Sequence, residues 1–240
     1  MEIIKTSLGH VNITKPENIL VKRVGYKDSV WNFPEVKKEG ALNFGTRWED
    51  PEGNWRTLYL AGNTVAAFVE VLATFTPDHL LLESLDEIEE DPEDKLEYPT
   101  QAAGCIDTSW GDNREIGEGE LKGKFFYPTG SASMGELRRK FLRTAMNFGF
   151  IAFDTAALRI NIPRDLTQQI GAAVYKAKTF EEEFFDGIEF QSRFGDDFTL
   201  WAIFERQPFD LEDLVKNRTV NDVKSHEEAL AMAKELLNLT

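Results

Sequence analysis

Three side chains with complementary chemistry lie close together in the first third of the sequence: the guanidinium of Arg47, the ring of Tyr59 and the carboxylate of Glu70. Guanidinium groups bind phosphate through paired hydrogen bonds, aromatic rings stack on bases, and a carboxylate stabilises a developing cation. Each of the three falls at the edge of a different short element. Together these residue types predict a nucleotide site.

Two short strands are predicted on either side of Arg47. The aliphatic run 18–24 is typical of a strand that ends near a glycine, so Arg23 is expected close to the strand end. Downstream, Tyr59 lies within Leu58–Leu60, which is the next predicted strand.

A helix is predicted to begin at Asn63 or Thr64, either of which can cap an N-terminus, and to end before Pro77. The apolar residues of this segment recur at the spacing of one helix face: Val65, Phe68, Val69 and Leu72. Glu70 falls about 140° from Val65, well off that stripe. Its own side of the helix carries small alanines, which leave room for a ligand.

Three further helices are predicted in the second half of the chain. Capping-box sequences indicate helices that begin at Ser133 and Ser225. The first is expected to run through Met146 and the last to about residue 238. Between them, residues 163–177 are predicted to form a helix that starts at a proline.

β-structure is predicted in three other places. Gly149–Asp154 is a strand candidate, and the runs 185–193 and 198–204 predict a hairpin. Ser192 is expected on the first strand of that hairpin.

The composition of the 240-residue chain excludes several classes of partner. Its formal net charge of −15 repels nucleic-acid phosphate and anionic membrane surfaces. Nine acidic residues and one lysine are concentrated between residues 83 and 97, which predicts a solvated acidic insertion. Since the N-terminus lacks the pattern of a signal peptide and no apolar run would span a bilayer, a cytoplasmic protein is expected.

No sequence signature of a metal or dinucleotide site is found. The single cysteine, Cys105, and three scattered histidines suit neither a metal centre nor a Cys–His or Ser–His–Asp arrangement. A Walker lysine loop and a Gly-x-Gly-x-x-Gly turn are both missing. Strands and helices are mixed without regular alternation or a Pro/Gly/Ser linker, so we predict one α+β domain over residues 1–240.

Four short motifs follow one another along the chain: Gly45–Trp48, Leu58–Ala61, Ala66–Glu70 and Gly187–Arg193. Their order and spacing resemble the RES domain family, which is named for its arginine, glutamate and serine. Those three letters fall on Arg47, Glu70 and Ser192. The similarity covers about residues 19–205, interrupted by the acidic insertion.

The resemblance implies an ADP-ribosyltransferase-like fold, in which a split mixed or antiparallel sheet is flanked by helices. It also implies an enzyme that degrades NAD+ at the nicotinamide–ribose bond by phosphorolysis or hydrolysis. No cofactor is implied beyond NAD+ as substrate, with inorganic phosphate as a candidate co-substrate. Many RES proteins are toxins that a helix-turn-helix antitoxin holds in check, so such a partner is expected. The aromatic middle segment is also compatible with a homodimer.

The family pattern implies a role for each residue. Nicotinamide leaves NAD+ as a neutral molecule, so the demanding step is the cation-like ribosyl transition state. Glu70 would stabilise that cation or polarise the ribose hydroxyls. Arg47 and Arg23 would hold the pyrophosphate. Tyr59 would stack against or close over the nicotinamide ring, and Ser192 would donate a hydrogen bond to ribose or phosphate.

Several alternatives stay open. Arg47 could pair with Glu49 or Asp50 as a surface ion pair. Arg193 follows Ser192 and is expected on the opposite strand face, outside the site. The enzyme could transfer ADP-ribose to a protein, and the chain could also be a catalytically silent module whose acidic face binds a basic partner.

Overall fold

The computed structural model describes residues 1–35, 46–77, 102–160, 163–179, 181, 184–208 and 210–240. The acidic insertion predicted at 83–97 lies outside these residues, as does the first residue of the Gly45–Trp48 motif. Within the described part of the chain, no helix is long and apolar enough to cross a membrane.

Strands of the described residues form one mixed sheet. They are β1 (Glu2–Thr6), β2 (Gly9–Thr14), β3 (Ile19–Tyr26), β4 (Thr57–Ala61), β5 (Arg114–Leu121), β6 (Phe125–Phe126), β7 (Gly187–Gln191), β8 (Thr199–Phe204) and β9 (Val215–Asp222). Their order is β1-β2-β6-β7-β8-β4-β3-β5-β9. Neighbours pair antiparallel, except that β6 and β7 are parallel.

Helices of the described residues cover this sheet. They are α1 (Thr64–Leu72), α2 (Ser131–Asn147), α3 (Asp165–Lys176), α4 (Leu211–Leu214) and α5 (Glu227–Leu236). Side chains of α1, α2, α3 and α5 belong to the same large core as one face of the sheet. The α+β prediction is confirmed by this mixed sheet with its flanking helices.

Side-chain alternation in β4 separates two cores. Tyr59 packs against the larger core, which the helices share, whereas Leu58 and Leu60 belong to a smaller core. Successive strand residues point to opposite faces, so Tyr59 lies on the helix-covered face of the sheet. α1, which carries Glu70, packs on that same core.

The strands predicted near Arg23, Tyr59 and Ser192 are confirmed as β3, β4 and the β7–β8 hairpin. Two details differ. Arg23 lies in the middle of β3 and not near its end, because the strand continues to Tyr26. Ser192 is the first residue after β7 and not a strand residue.

The capping box predicted at Ser133 is wrong. α2 already begins at Ser131, and the two polar side chains reach across to the backbone of β2. Ser133 Oγ accepts a hydrogen bond from Asn12 N at 2.8 Å, and Glu136 Oε1 accepts one from His10 N at 3.2 Å. The side chains of Ser133 and Glu136, which the capping-box pattern assigns to the helix N-terminus, therefore bind the backbone of β2 instead.

The second capping box is also wrong. α5 begins at Glu227, and Ser225 Oγ donates to the carbonyl of Asp222 within a preceding 3-10 turn. The strand predicted at Gly149–Asp154 is not formed, since these residues are irregular and follow directly on the C-terminal end of α2.

Candidate functional site

The helix that carries Glu70 is fixed at its start by a side-chain cap. Asn63 Oδ1 accepts a hydrogen bond from Ala66 N at 2.8 Å, as the sequence predicts. Phe68 and Leu72 are buried on the inner face of α1. Glu70 is exposed, so its carboxylate faces away from the core and is accessible to a ligand.

Ser192 holds the carboxylate of Glu70. The serine is buried, with 1% of its surface exposed, and its Oγ donates to Glu70 Oε1 at 2.5 Å. Ser192 Oγ also accepts a hydrogen bond from Phe194 N at 3.0 Å, and Ser192 N donates to the carbonyl of Phe198. The turn between β7 and β8, held by these hydrogen bonds, thus orients one oxygen of an otherwise exposed carboxylate.

Arg47 lies beside this pair. Its guanidinium sits 5.5 Å from the ring centroid of Phe190, and its Nη2 donates to the carbonyl of Arg159 at 3.3 Å. Burial lowers the pKa of Arg47, and the negative charge of Glu70 opposes that shift. The structure therefore places Glu70 and Ser192 in contact, with Arg47 within electrostatic reach of Glu70.

The turn that carries Arg47 is anchored by Tyr59. Trp48 N and Thr46 Oγ1 both donate hydrogen bonds to the Tyr59 hydroxyl, each at 2.8 Å. Gln168 Nε2, from α3, donates to the carbonyl of Thr46 at 3.2 Å. Burial raises the pKa of Tyr59, so the phenol stays neutral at physiological pH. Sequence reasoning missed this bracing role, and no local signal indicates it.

Arg23 stabilises the backbone at Tyr59 through a hydrogen bond. Its Nη1 donates to the carbonyl of Tyr59 at 2.9 Å and its Nε to the carbonyl of Val30 at 2.7 Å. Burial lowers the pKa of Arg23 to about 10, which still leaves it protonated at neutral pH. Contacts of Arg23 and Tyr59 with NAD+ stay predictions.

The carboxylates of Glu49 and Asp50, next to Arg47, accept hydrogen bonds from backbone N–H groups of this loop. Glu49 Oε2 accepts a hydrogen bond from Thr46 N at 2.7 Å. Asp50 Oδ2 accepts one from Asn54 N at 2.6 Å. These contacts stabilise the loop in the manner of side-chain turns, and they give both carboxylates a structural role other than pairing with the arginine.

The expectation that Arg193 lies outside the site stays a prediction, but the reason given for it does not hold in the structure. Strand alternation would turn it away from Ser192, but β7 ends at Gln191 and alternation no longer applies beyond it. The charge of Glu70 acts on Arg193, opposing the lowering of its pKa by burial. Its guanidinium lies 4.5 Å from the ring centroid of Phe194. The exposed side chain of Arg193, next to the buried Ser192, thus lies within electrostatic reach of Glu70.

This arrangement can bind an anion and present a negative charge to a cation. The guanidinium groups of Arg47 and Arg193 offer planar donors for phosphate, and the Glu70 carboxylate is accessible. Within the described residues, no group of three or more His, Cys, Asp or Glu side chains could hold a metal ion.

Comparison with known proteins gives one structural relation. No family model matches the chain, and no curated protein matches it. A chain in the crystal structure of the M. tuberculosis MbcT–MbcA toxin–antitoxin complex is similar in fold, with a TM-score of 0.51. The sequence identity is 12%, and the match covers 92% of each chain. A likeness at this identity shows a shared fold.

Proposed function

We propose that this protein degrades NAD+ by cleaving the nicotinamide–ribose bond, with phosphate or water as acceptor, and acts as the toxin of a toxin–antitoxin pair. The observation that carries the proposal is the meeting of Arg47, Glu70 and Ser192 around one exposed carboxylate. These are the three residues that the RES resemblance singles out. Ser192 and Glu70 are separated by 122 positions, so nothing local brings them together.

The carboxylate of Glu70 suits the electrostatic demand of the reaction. When the C1′–N bond of NAD+ breaks, its electron pair goes to nicotinamide, which leaves neutral, and positive charge develops on the ribose. A carboxylate that is already oriented by the Ser192 hydrogen bond stabilises that charge without reorganising during the reaction.

Arg47 suits the other end of the substrate. A guanidinium has a planar set of donors that matches phosphate oxygens, and stacking on Phe190 restricts its orientation. Binding of the pyrophosphate by Arg47 would align the ribose with the carboxylate. The substrate would come from the NAD+ pool of the cytoplasm.

The toxin role rests on the fold. The similar chain belongs to a toxin–antitoxin complex, and the RES resemblance implies a helix-turn-helix antitoxin as the partner. Such an antitoxin would be a separate chain that binds this protein and blocks the site around Glu70.

NAD+ consumption by the purified protein, with and without inorganic phosphate, tests the enzymatic proposal. Glu70→Gln keeps an oxygen for Ser192 but removes the charge, so turnover should fall by about 100- to 1,000-fold. Glu235→Gln is the matched control, because it makes the same change at an exposed position of α5.

Each outcome of this assay has a defined meaning. Loss of NAD+ that requires phosphate supports phosphorolysis, and loss without phosphate supports hydrolysis. Transfer of labelled ADP-ribose onto a protein would favour a protein ADP-ribosyltransferase. The wild-type protein could also leave NAD+ intact under all conditions while it is folded and free of any co-purified partner. That result would contradict the proposed enzymatic activity and favour a binding module.

A further inference from the structure

Two arginines of the site are supported by aromatic rings from one short segment, residues 190–194. The guanidinium of Arg47 lies over Phe190, and that of Arg193 lies over Phe194. Stacking on a ring face restricts a long, flexible side chain and leaves its N–H groups free to bind in the plane. The segment therefore holds two guanidinium groups in defined places.

The same segment ties these groups to the carboxylate. Ser192 Oγ donates to Glu70 and accepts from Phe194 N at 3.0 Å. The residue whose ring supports Arg193 is thus one hydrogen bond away from the oxygen that orients Glu70. Both guanidinium groups and the carboxylate belong to one connected unit.

The carboxylate of Glu70 is shared by the two guanidinium groups of this unit. Burial lowers the pKa of Arg47, and the positive charge of Arg193 acts in the same direction. Guanidinium groups close enough to repel one another are unfavourable unless an anion lies between them. Glu70 supplies one negative charge to both Arg47 and Arg193. A phosphate group would add negative charge between Arg47 and Arg193 and would match their planar donors.

We propose that Arg193 is a phosphate-binding residue whose guanidinium, together with that of Arg47, binds a phosphate group beside Glu70. This inference rests on the proposed function and adds a residue to its site. The phosphate group can come from two sources, the diphosphate of NAD+ or free inorganic phosphate. In the second case a phosphate oxygen forms the bond to C1′ as the C1′–N bond breaks, and the electron pair of that bond leaves with neutral nicotinamide.

Calorimetric titration of the free protein with ADP and, separately, with inorganic phosphate tests this proposal. We expect Arg193→Gln to weaken the binding of at least one of these ligands by about tenfold or more. Arg193→Lys keeps the charge but not the planar fork, so it should recover part of the affinity. Arg143→Gln, at an exposed position of α2, is the matched control and should bind both ligands as the wild type does.

The two ligands distinguish the source of the phosphate group. Weaker binding of ADP alone assigns Arg193 to the diphosphate of NAD+, and weaker binding of inorganic phosphate alone assigns it to the acceptor. Unchanged affinity for both ligands, or a wild type that binds neither, overturns the proposal. Because binding is measured without turnover, a protein that binds phosphate through Arg193 but leaves NAD+ intact would separate this inference from the proposed enzyme.

Discussion

Ser192 donates a hydrogen bond from its buried Oγ to Oε1 of Glu70, the exposed carboxylate of the candidate site. The family resemblance implies that this serine contacts ribose or phosphate, but its hydroxyl hydrogen is directed to Glu70 in the structure. We therefore expect Ser192 to act as a positioning residue, because it orients the carboxylate that would face the substrate. The glutamate and the serine should behave as one unit in mutational experiments.

Replacing Ser192 by alanine should impair catalysis more than stability. The change removes the donor to Glu70 and the acceptor for Phe194 N, and we expect kcat to fall by roughly 10- to 100-fold. The KM for NAD+ should change little, since binding groups remain. Steady-state kinetics of NAD+ consumption measure both values.

Ser109→Ala is a matched control for that variant. Ser109 Oγ also donates to a carboxylate, that of Asp107, but on the exposed surface. Its kinetics should equal those of the wild type. A normal kcat for the Ser192 variant would show that Glu70 needs no hydrogen bond to be oriented.

Replacing Tyr59 by phenylalanine should destabilise the fold. Trp48 N and Thr46 Oγ1 would lose their shared acceptor, and leaving a buried donor unsatisfied costs about 1–3 kcal/mol. Urea unfolding gives the free energy of unfolding. Tyr26→Phe, at a largely exposed position, should leave it unchanged. Equal stability of both variants would mean that the Arg47 turn is held by other contacts.

Two glycine-to-alanine changes, at Gly187 and Gly135, should change the free energy of unfolding in opposite directions. A Cβ at Gly187 in β7 would lie 2.0 Å from the carbonyl oxygen of Ala202, so the paired strands must separate and stability should fall by about 1–3 kcal/mol or more. A Cβ at Gly135 in α2 would meet nothing within 4 Å. There, alanine should stabilise the helix by about 0.5–1 kcal/mol. Thermal unfolding of both variants would show the contrast, and a stable Gly187 variant would contradict the β7–β8 register.

The ion pair between Arg56 and Glu205 predicts a defined pH dependence. Arg56 Nε donates to Glu205 Oε2 at 2.6 Å and its Nη2 to Oε1, and the hydrogen bonds with Arg56 hold the pKa of Glu205 below its usual 4.5. The folded state therefore binds its proton less readily than the unfolded state. The pair contributes stability above about pH 4.5 and loses it as the pH falls through the folded pKa.

The Arg56→Gln variant tests the predicted direction of this pH dependence of stability. The variant should be less stable than the wild type by up to about 1 kcal/mol near neutral pH, since the pair is partly exposed. The difference should shrink as urea unfolding is repeated at lower pH. A difference that stays constant down to about pH 3 would indicate that Arg56 acts through packing on Phe33 and not through Glu205.

Elements with a strong local sequence pattern around the site were predictable. Elements with a weak pattern, such as β5, were not. α1 and the β7–β8 hairpin have clear periodicity and were predictable. β5 reads Arg-Glu-Ile-Gly-Glu-Gly-Glu-Leu, a composition unfavourable for a strand, yet it pairs with β3 and β9 on both sides. Its Gly117 makes room for the ring of Trp31, which would lie 2.7 Å from a Cβ there. Tertiary fit of this kind has no trace in local spacing.

The site itself was predictable only in its residue types. The RES resemblance supplied Arg47, Glu70 and Ser192, and their meeting depends on sheet pairing that spacing does not encode. The sequence analysis left Arg193 out by extending strand alternation to a position two residues beyond Gln191, where β7 ends. The bracing contacts of Tyr59 could not be inferred, because a tyrosine between two leucines gives no indication of which backbone groups its hydroxyl meets.

The central position of β8 decides when this site can exist during protein synthesis. β8 lies between β7, which leads into Ser192, and β4, which holds Tyr59. A growing polypeptide must therefore emerge from the ribosome through Phe204 before the serine and Glu70 can be fixed together. Translation that stops upstream of this strand therefore releases a product in which the candidate site cannot assemble, so the site can form only once most of the chain has been made.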